Sequence, residues 1–123
     1  MSEINALIEK LKAATGPDRA LDLALATELA PDVLVLRQRD DDSGADPYTH
    51  WEYTGSIDDG LALVEKMRPD ILWVVESRDD DARGYRGALY SRDFTKSSEA
   101  YAPTAPLAIL LSLLLALSQE ETK

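Results

Sequence analysis

The chain contains no cysteine and a single histidine. The first absence excludes a disulfide scaffold, thiolate metal sites and cysteine nucleophiles together. The second leaves His50 as the sole imidazole, so a His-rich zinc or iron site has no ligand set. Basic residues are scarce as well: 13 Lys and Arg stand against 23 Asp and Glu, a formal net charge of −10. Nucleic-acid binding depends on a basic footprint that displaces counterions, so no direct DNA or RNA binding is expected. A membrane-length apolar run is also missing. The longest, 105–117, would make roughly 20 Å of helix against a hydrocarbon core of ~30 Å. It is followed by Ser118-Gln119-Glu120-Glu121 rather than by a basic flank. It therefore reads as a buried helix, with no membrane contact. Met1 to Lys12 lacks the basic-then-apolar order of a signal peptide, which points to the cytoplasm.

What is present suits one small domain over residues 1–123. At 45% hydrophobic residues the chain can close a core. Ile4, Leu7, Ile8 and Leu11 recur at helical spacing, and Gly16-Pro17 ends that helix. A second, Ala-rich helix starts near Asp18 and carries Leu21, Leu25 and Leu29 on one stripe, until Pro31. Val33 to Leu36 reads as a strand, Asp40 to Pro47 as an acidic loop, and His50 to Thr54 as a half-exposed strand with Trp51 and Tyr53 on one face. Ser56 with Asp59 caps a helix that Pro69 closes. Ile71 to Val75 is a short continuous apolar run, the pattern of a mid-sheet strand covered on both faces. Gly87 to Ser91 would be its hairpin partner, 97–103 an irregular link, and Thr104 the cap of the last helix. The order α-α-β-β-α-β-β-α predicts an α+β domain, a small mainly antiparallel sheet layered between helices. The last helix is apolar nearly all round, so a homo-oligomer formed through residues 105–117 is expected to complete its burial.

Motifs for chemistry are thin. Asp40 to Asp46 resembles a calcium loop, but the sixth and twelfth positions hold Ala45 and Trp51 where glycine and a bidentate glutamate are required. Asp79-Asp80-Asp81 has no second ligand set nearby, so no metal is expected. There is no Gly-x-Ser-x-Gly elbow and no glycine-rich phosphate loop. No catalytic constellation and no cofactor site follow from these residues. One stretch suits ligand binding: Arg83, Tyr85, Arg86, Tyr90, Arg92 and Lys96 gather cations and phenol rings in an otherwise acidic chain. Arginine forks match phosphate or carboxylate oxygens, and tyrosine rings stack on flat apolar groups. Thr104 at a helix start adds an anion-friendly end, and Trp51, Tyr53 and Trp73 could wall such a site. The same pattern also describes a solvated sheet face with core tryptophans.

Three segments carry a resemblance. Leu7 to Asp22, with its Ala-Thr-Gly-Pro-Asp-Arg-Ala-Leu-Asp corner, is similar to the opening of the phage ABA sandwich domain family. Tyr53-Thr54-Gly55-Ser56-Ile57-Asp58-Asp59-Gly60-Leu61 resembles the family's Tyr-Thr-x-Ser-Leu-Asp-x-Ala-Leu segment, and Ala102 to Ala108 resembles its Ala-x-Thr-Pro-Ala-Leu-Ala lead into the last helix. Pro106 falls one residue later here, and the acidic loops are longer. The resemblance implies a small phage or prophage protein of layered helices and sheet, working in a bacterial host's cytoplasm, and transfers no catalytic residues. Together with the cation and tyrosine cluster it leads to a non-catalytic binder of a small anionic, nucleotide-like molecule, such as a host immune signal. The alternatives are an acidic module that inhibits or decoys a basic host protein, and an accessory phage protein with no ligand.

Overall fold

The computed structural model describes residues 3–38, 44–77 and 84–121. Expectations placed on Asp40–Asp42, Asp79–Asp81 and Arg83 lie outside the described residues. Helices α1 (Glu3–Ala13) and α2 (Arg19–Leu29) are followed by a short 3-10 turn (Pro31–Val33), strands β1 (Val35–Gln38) and β2 (Ala45–Tyr48), and helix α3 (Ile57–Met67). Then come β3 (Leu72–Ser77), β4 (Tyr85–Tyr90), β5 (Ser97–Ala102) and α4 (Ala105–Glu121). The α+β class and the order of elements are as the sequence implies, with one strand more.

Local chemistry explains the helix boundaries. Asp18 Oδ1 accepts the Leu21 N–H at 3.1 Å to start α2, and Ser56 Oγ accepts the Asp59 N–H at 3.2 Å to start α3. Thr104 Oγ1 accepts the Leu107 N–H at 3.4 Å, and Pro106 lies in the first turn of α4, where its missing N–H costs nothing.

Strands β1 and β2 form an antiparallel pair; β3, β4 and β5 form a separate antiparallel sheet with β4 central. The helices stack on one face of this second sheet. Helix α4 packs on β4 and β5, and α1 and α3 pack on α4. Leu107, Ala108, Ile109, Leu110, Leu113 and Leu114 are 0% exposed, so the chain itself covers this helix. The burial expected of a second copy at 105–117 is met within the chain instead, by sheet below and helices above, with Ser112 as the one polar residue enclosed.

The contact between α4 and the sheet is a backbone approach. A Cβ added at Gly87 would stand 2.7 Å from the Ala108 carbonyl, and Gly87 lies beside Ala100 in the register. With both residues small, the helix settles onto the strands. Ser112 Oγ donates to the Gly87 carbonyl at 2.7 Å and Ser98 Oγ donates to the Ser112 carbonyl at 2.9 Å, so the buried hydroxyls are satisfied.

Four segments differ from expectation. Residues 45–48, read as acidic loop, are β2. His50 to Thr54 is a turn rather than a strand, because Glu52's carbonyl accepts the N–H groups of Gly55 and Ser56 and bends the chain. Residues 97–102 are β5, alternating exposed Glu99 and Tyr101 with buried Ser98 and Ala100. The Ile71–Val75 run is the edge strand β3, not a central one, and Trp73 and Val74 are exposed on it.

Candidate functional site

Helix α3 ends at Met67, and Pro69 turns the chain into β3. The loop from β4 to β5 returns beside that turn, and the last turns of α4 pass behind both. The three leave a cleft of about 620 Å³, walled by Ile71, Leu89 and Ala116 and rimmed by Arg68, Arg92 and Lys96. That volume lies in the range of small-molecule sites. Two carboxylates, Asp70 and Asp93, share the rim. The cleft thus holds more cations than acids in a chain of net charge −10.

Arg92 is oriented by one bond: its Nε donates to the Asp70 carbonyl at 2.9 Å. Its two Nη groups donate to nothing among the described residues, so the fork is left for an incoming anion. The loop that carries it is self-tied. Asp93 Oδ1 accepts from Ser91 Oγ at 2.7 Å, Thr95 Oγ1 at 2.8 Å and the Thr95 N–H at 3.1 Å. Those donors hold the Asp93 carboxyl down at about 2. Its charge is absorbed by its own turn. Phe94, next along, adopts φ 60° and is 70% exposed.

The structure does not gather the other sequence candidates here. Arg86 and Tyr90 lie on the sheet face turned away from α4. Arg86 Nε meets Glu99 Oε2 at 2.6 Å, Nη1 meets Glu76 Oε1 at 3.2 Å, and Nη2 donates to the Tyr90 hydroxyl at 2.8 Å. The Tyr90 and Glu99 contacts raise the guanidinium pKa further, and this arginine is committed to its own sheet. Tyr85 and Thr104 sit at the far end of β4, where β5 runs into α4. Thr104 spends its side chain on its own helix.

Trp51 and Tyr53 stack with ring centroids 6.0 Å apart in the turn before α3. This turn is one wall of a buried polar knot. Asp22, 1% exposed, accepts the Thr54 N–H at 2.7 Å and the Thr54 hydroxyl at 2.8 Å, while the Asp18 N–H donates to that hydroxyl at 2.8 Å. Arg19 pairs with Asp22 at 2.8 Å and donates to the carbonyls of Trp51 and Thr49. Burial, then the negative charges of Asp59, Asp32 and Asp22, push the Tyr53 phenol up to about 12. With Asp22, Thr54 and Arg19 bonded to one another or to the turn's backbone, this corner is a structural lock joining α2 to the β2–α3 turn.

The residues missed by sequence reasoning are Arg68, Asp70, Ile71, Leu89 and Ala116. The junction Arg68-Pro69-Asp70 signals only a helix stop, and nothing local says that the β4–β5 loop returns beside it.

No protein-family model and no curated protein matches this chain. One solved structure that does match is a phage protein from Bacillus cereus ATCC 14579, 20% identical, with a TM-score of 0.49, covering 93% of this chain and 90% of that one. Likeness to the phage ABA sandwich family therefore stands on the three residue motifs alone. Among the described residues, no helix is long and apolar enough to cross a membrane.

Proposed function

We propose that this chain is a non-catalytic phage or prophage protein that binds a small anionic, nucleotide-like molecule in the cleft between the α3–β3 turn and the β4–β5 loop, and so sequesters a signal of host immunity. The observation that carries the reading is Arg92: a fork fixed at Nε, with no acceptor at either Nη among the described residues, lining the same cleft as the apolar Ile71, Leu89 and Ala116. The anionic end of the ligand meets Arg92, Lys96 and Arg68, and its flat body lies on the aliphatic wall. The phage setting and the immune signal rest on the residue motifs, and the absence of turnover on the lack of a Gly-x-Ser-x-Gly elbow or other catalytic motif in the sequence.

Isothermal titration calorimetry with AMP, and separately with inorganic phosphate, tests it. AMP is expected to bind more tightly than phosphate. Arg92→Ala should weaken AMP on the order of tenfold or more, the value of one charge-assisted contact. Arg86→Ala, on the other sheet face, should leave AMP affinity unchanged. No AMP binding, or equal binding by Arg92→Ala, overturns the site. Hydrolysis of AMP seen by chromatography overturns the non-catalytic part.

A further inference from the structure

The strand 72–77 has the composition of a covered strand and the position of an open one. Leu72, Trp73, Val74 and Val75 form an apolar run, half of it β-branched, yet among the described residues β3 is hydrogen-bonded on one side only, to β4. Trp73 is 42% and Val74 36% exposed, and they point to opposite faces of the sheet. An edge of this kind is usually blunted by lysine, proline or a bulge, since its unpaired N–H and C=O groups template another strand. Leu72 to Ser77 contains no lysine or proline, and its register with β4 runs without a bulge over all six residues.

We propose that β3 pairs antiparallel with β3 of a second copy of this chain, about a two-fold axis through Val74, joining two three-stranded sheets into one. The register follows from the pleat. Side chains keep their face across a continuous sheet only if paired positions have the same parity. Centring on Val74 sets Val74 opposite Val74 of the second copy and Trp73 opposite Val75 of the second copy. The two Trp73 rings become diagonal neighbours on one face, within reach of each other. Leu72 lies opposite Glu76 of the second copy.

The charges select this occupant. Glu76 is the single charged residue of β3, and Arg86 of its own chain already holds it at 3.2 Å. A strand of the same sequence therefore brings apolar side chains to apolar side chains at the three central pairs, and sets Leu72 opposite a Glu76 that its own Arg86 already pairs. Two molecules of net charge −10 repel elsewhere, and their contact is favoured where the surface is locally neutral. The proposal is independent of the ligand site.

The absence of cysteine makes the register directly testable. On the axis, paired Cα atoms stand about 4.5–5.5 Å apart, a separation a disulfide spans. Val74→Cys is therefore expected to cross-link to itself under mild oxidation, on the order of tenfold faster or more than Phe94→Cys, which is more exposed but off the axis. Sedimentation velocity should show the unmodified chain as a dimer and Val74→Lys, folded by circular dichroism, as a monomer. A monomeric unmodified chain overturns the proposal. So does a dimer that survives Val74→Lys, or Val74→Cys linking no faster than Phe94→Cys. If Val74→Lys does not fold, the two cysteine variants decide.

Discussion

Thr54 shows how much one side chain holds at the corner between α2 and α3. Its hydroxyl donates to Asp22 at 2.8 Å and accepts the Asp18 N–H at 2.8 Å, and the residue is 0% exposed. Thr54→Val keeps the shape and removes both bonds, leaving the half-buried Asp18 N–H without its acceptor and the buried Asp22 Oδ1 with the Thr54 N–H alone. The expected loss is about 1–3 kcal/mol of stability, the cost of orphaned buried polar groups, measured by urea denaturation. A loss indistinguishable from zero would show that water reaches the corner. Part of this arrangement was legible. Thr15-Gly16-Pro17-Asp18 reads as a helix stop and restart, and Asp22 and Arg19 suggest hydrogen bonds that tie this corner to the sheet. The partner was misplaced: the tie goes to the turn 49–54, because the alternation of His50 to Thr54 resembles a strand while its backbone bends around the Glu52 carbonyl.

At the scale of elements, the helices were easiest to read, since their apolar spacing and caps are local. The strands were harder, because burial and position are set by neighbours distant in sequence. Residues 97–102 are mostly small, and they become β5 only because β4 supplies hydrogen bonds and α4 covers Ser98 and Ala100. For the same reason the fold divides the cation and tyrosine cluster. Arg92 and Lys96 lie on a loop and reach the cleft, whereas strand alternation sends Arg86 and Tyr90 to the opposite face. The β4–β5 loop makes its own prediction. Asp93 is held at about 2 by Ser91 and Thr95, against about 3.9 for a free aspartate. A depressed carboxylate contributes order that is fully present above the free value and is lost as pH falls toward the folded one. The loop should therefore loosen between pH ~4 and ~2, and Asp93→Asn should show the loosened loop at neutral pH. Amide chemical shifts of Ser91 to Lys96 report both. Shifts in Asp93→Asn matching the unmodified chain at neutral pH would mean the turn is held by its backbone alone.

The molecule as a whole is organised around α4, which touches β3, β4 and β5 on one side and α1 and α3 on the other. A helix so placed cannot be released layer by layer: unpacking it exposes the sheet and both helices at once. The consequence is a single cooperative transition despite the split into helical and sheet layers. Leu113 is 0% exposed in the middle of this helix, and Leu113→Ala should cost about 2–5 kcal/mol through lost burial and the cavity left behind. That is a large share of the ~5–15 kcal/mol by which a domain is stable. The informative quantity is how the loss is distributed. Far-ultraviolet circular dichroism follows the helices, Trp73 fluorescence the sheet and Trp51 fluorescence the corner before α3. With one tryptophan at a time replaced by phenylalanine, all three probes should move to the same lower urea midpoint in Leu113→Ala. A sheet signal that keeps its original midpoint while the helical signal falls would mean that β3, β4 and β5 hold together without α4. The backbone contact of Gly87 with Ala108 would then be a consequence of the fold rather than one of its causes.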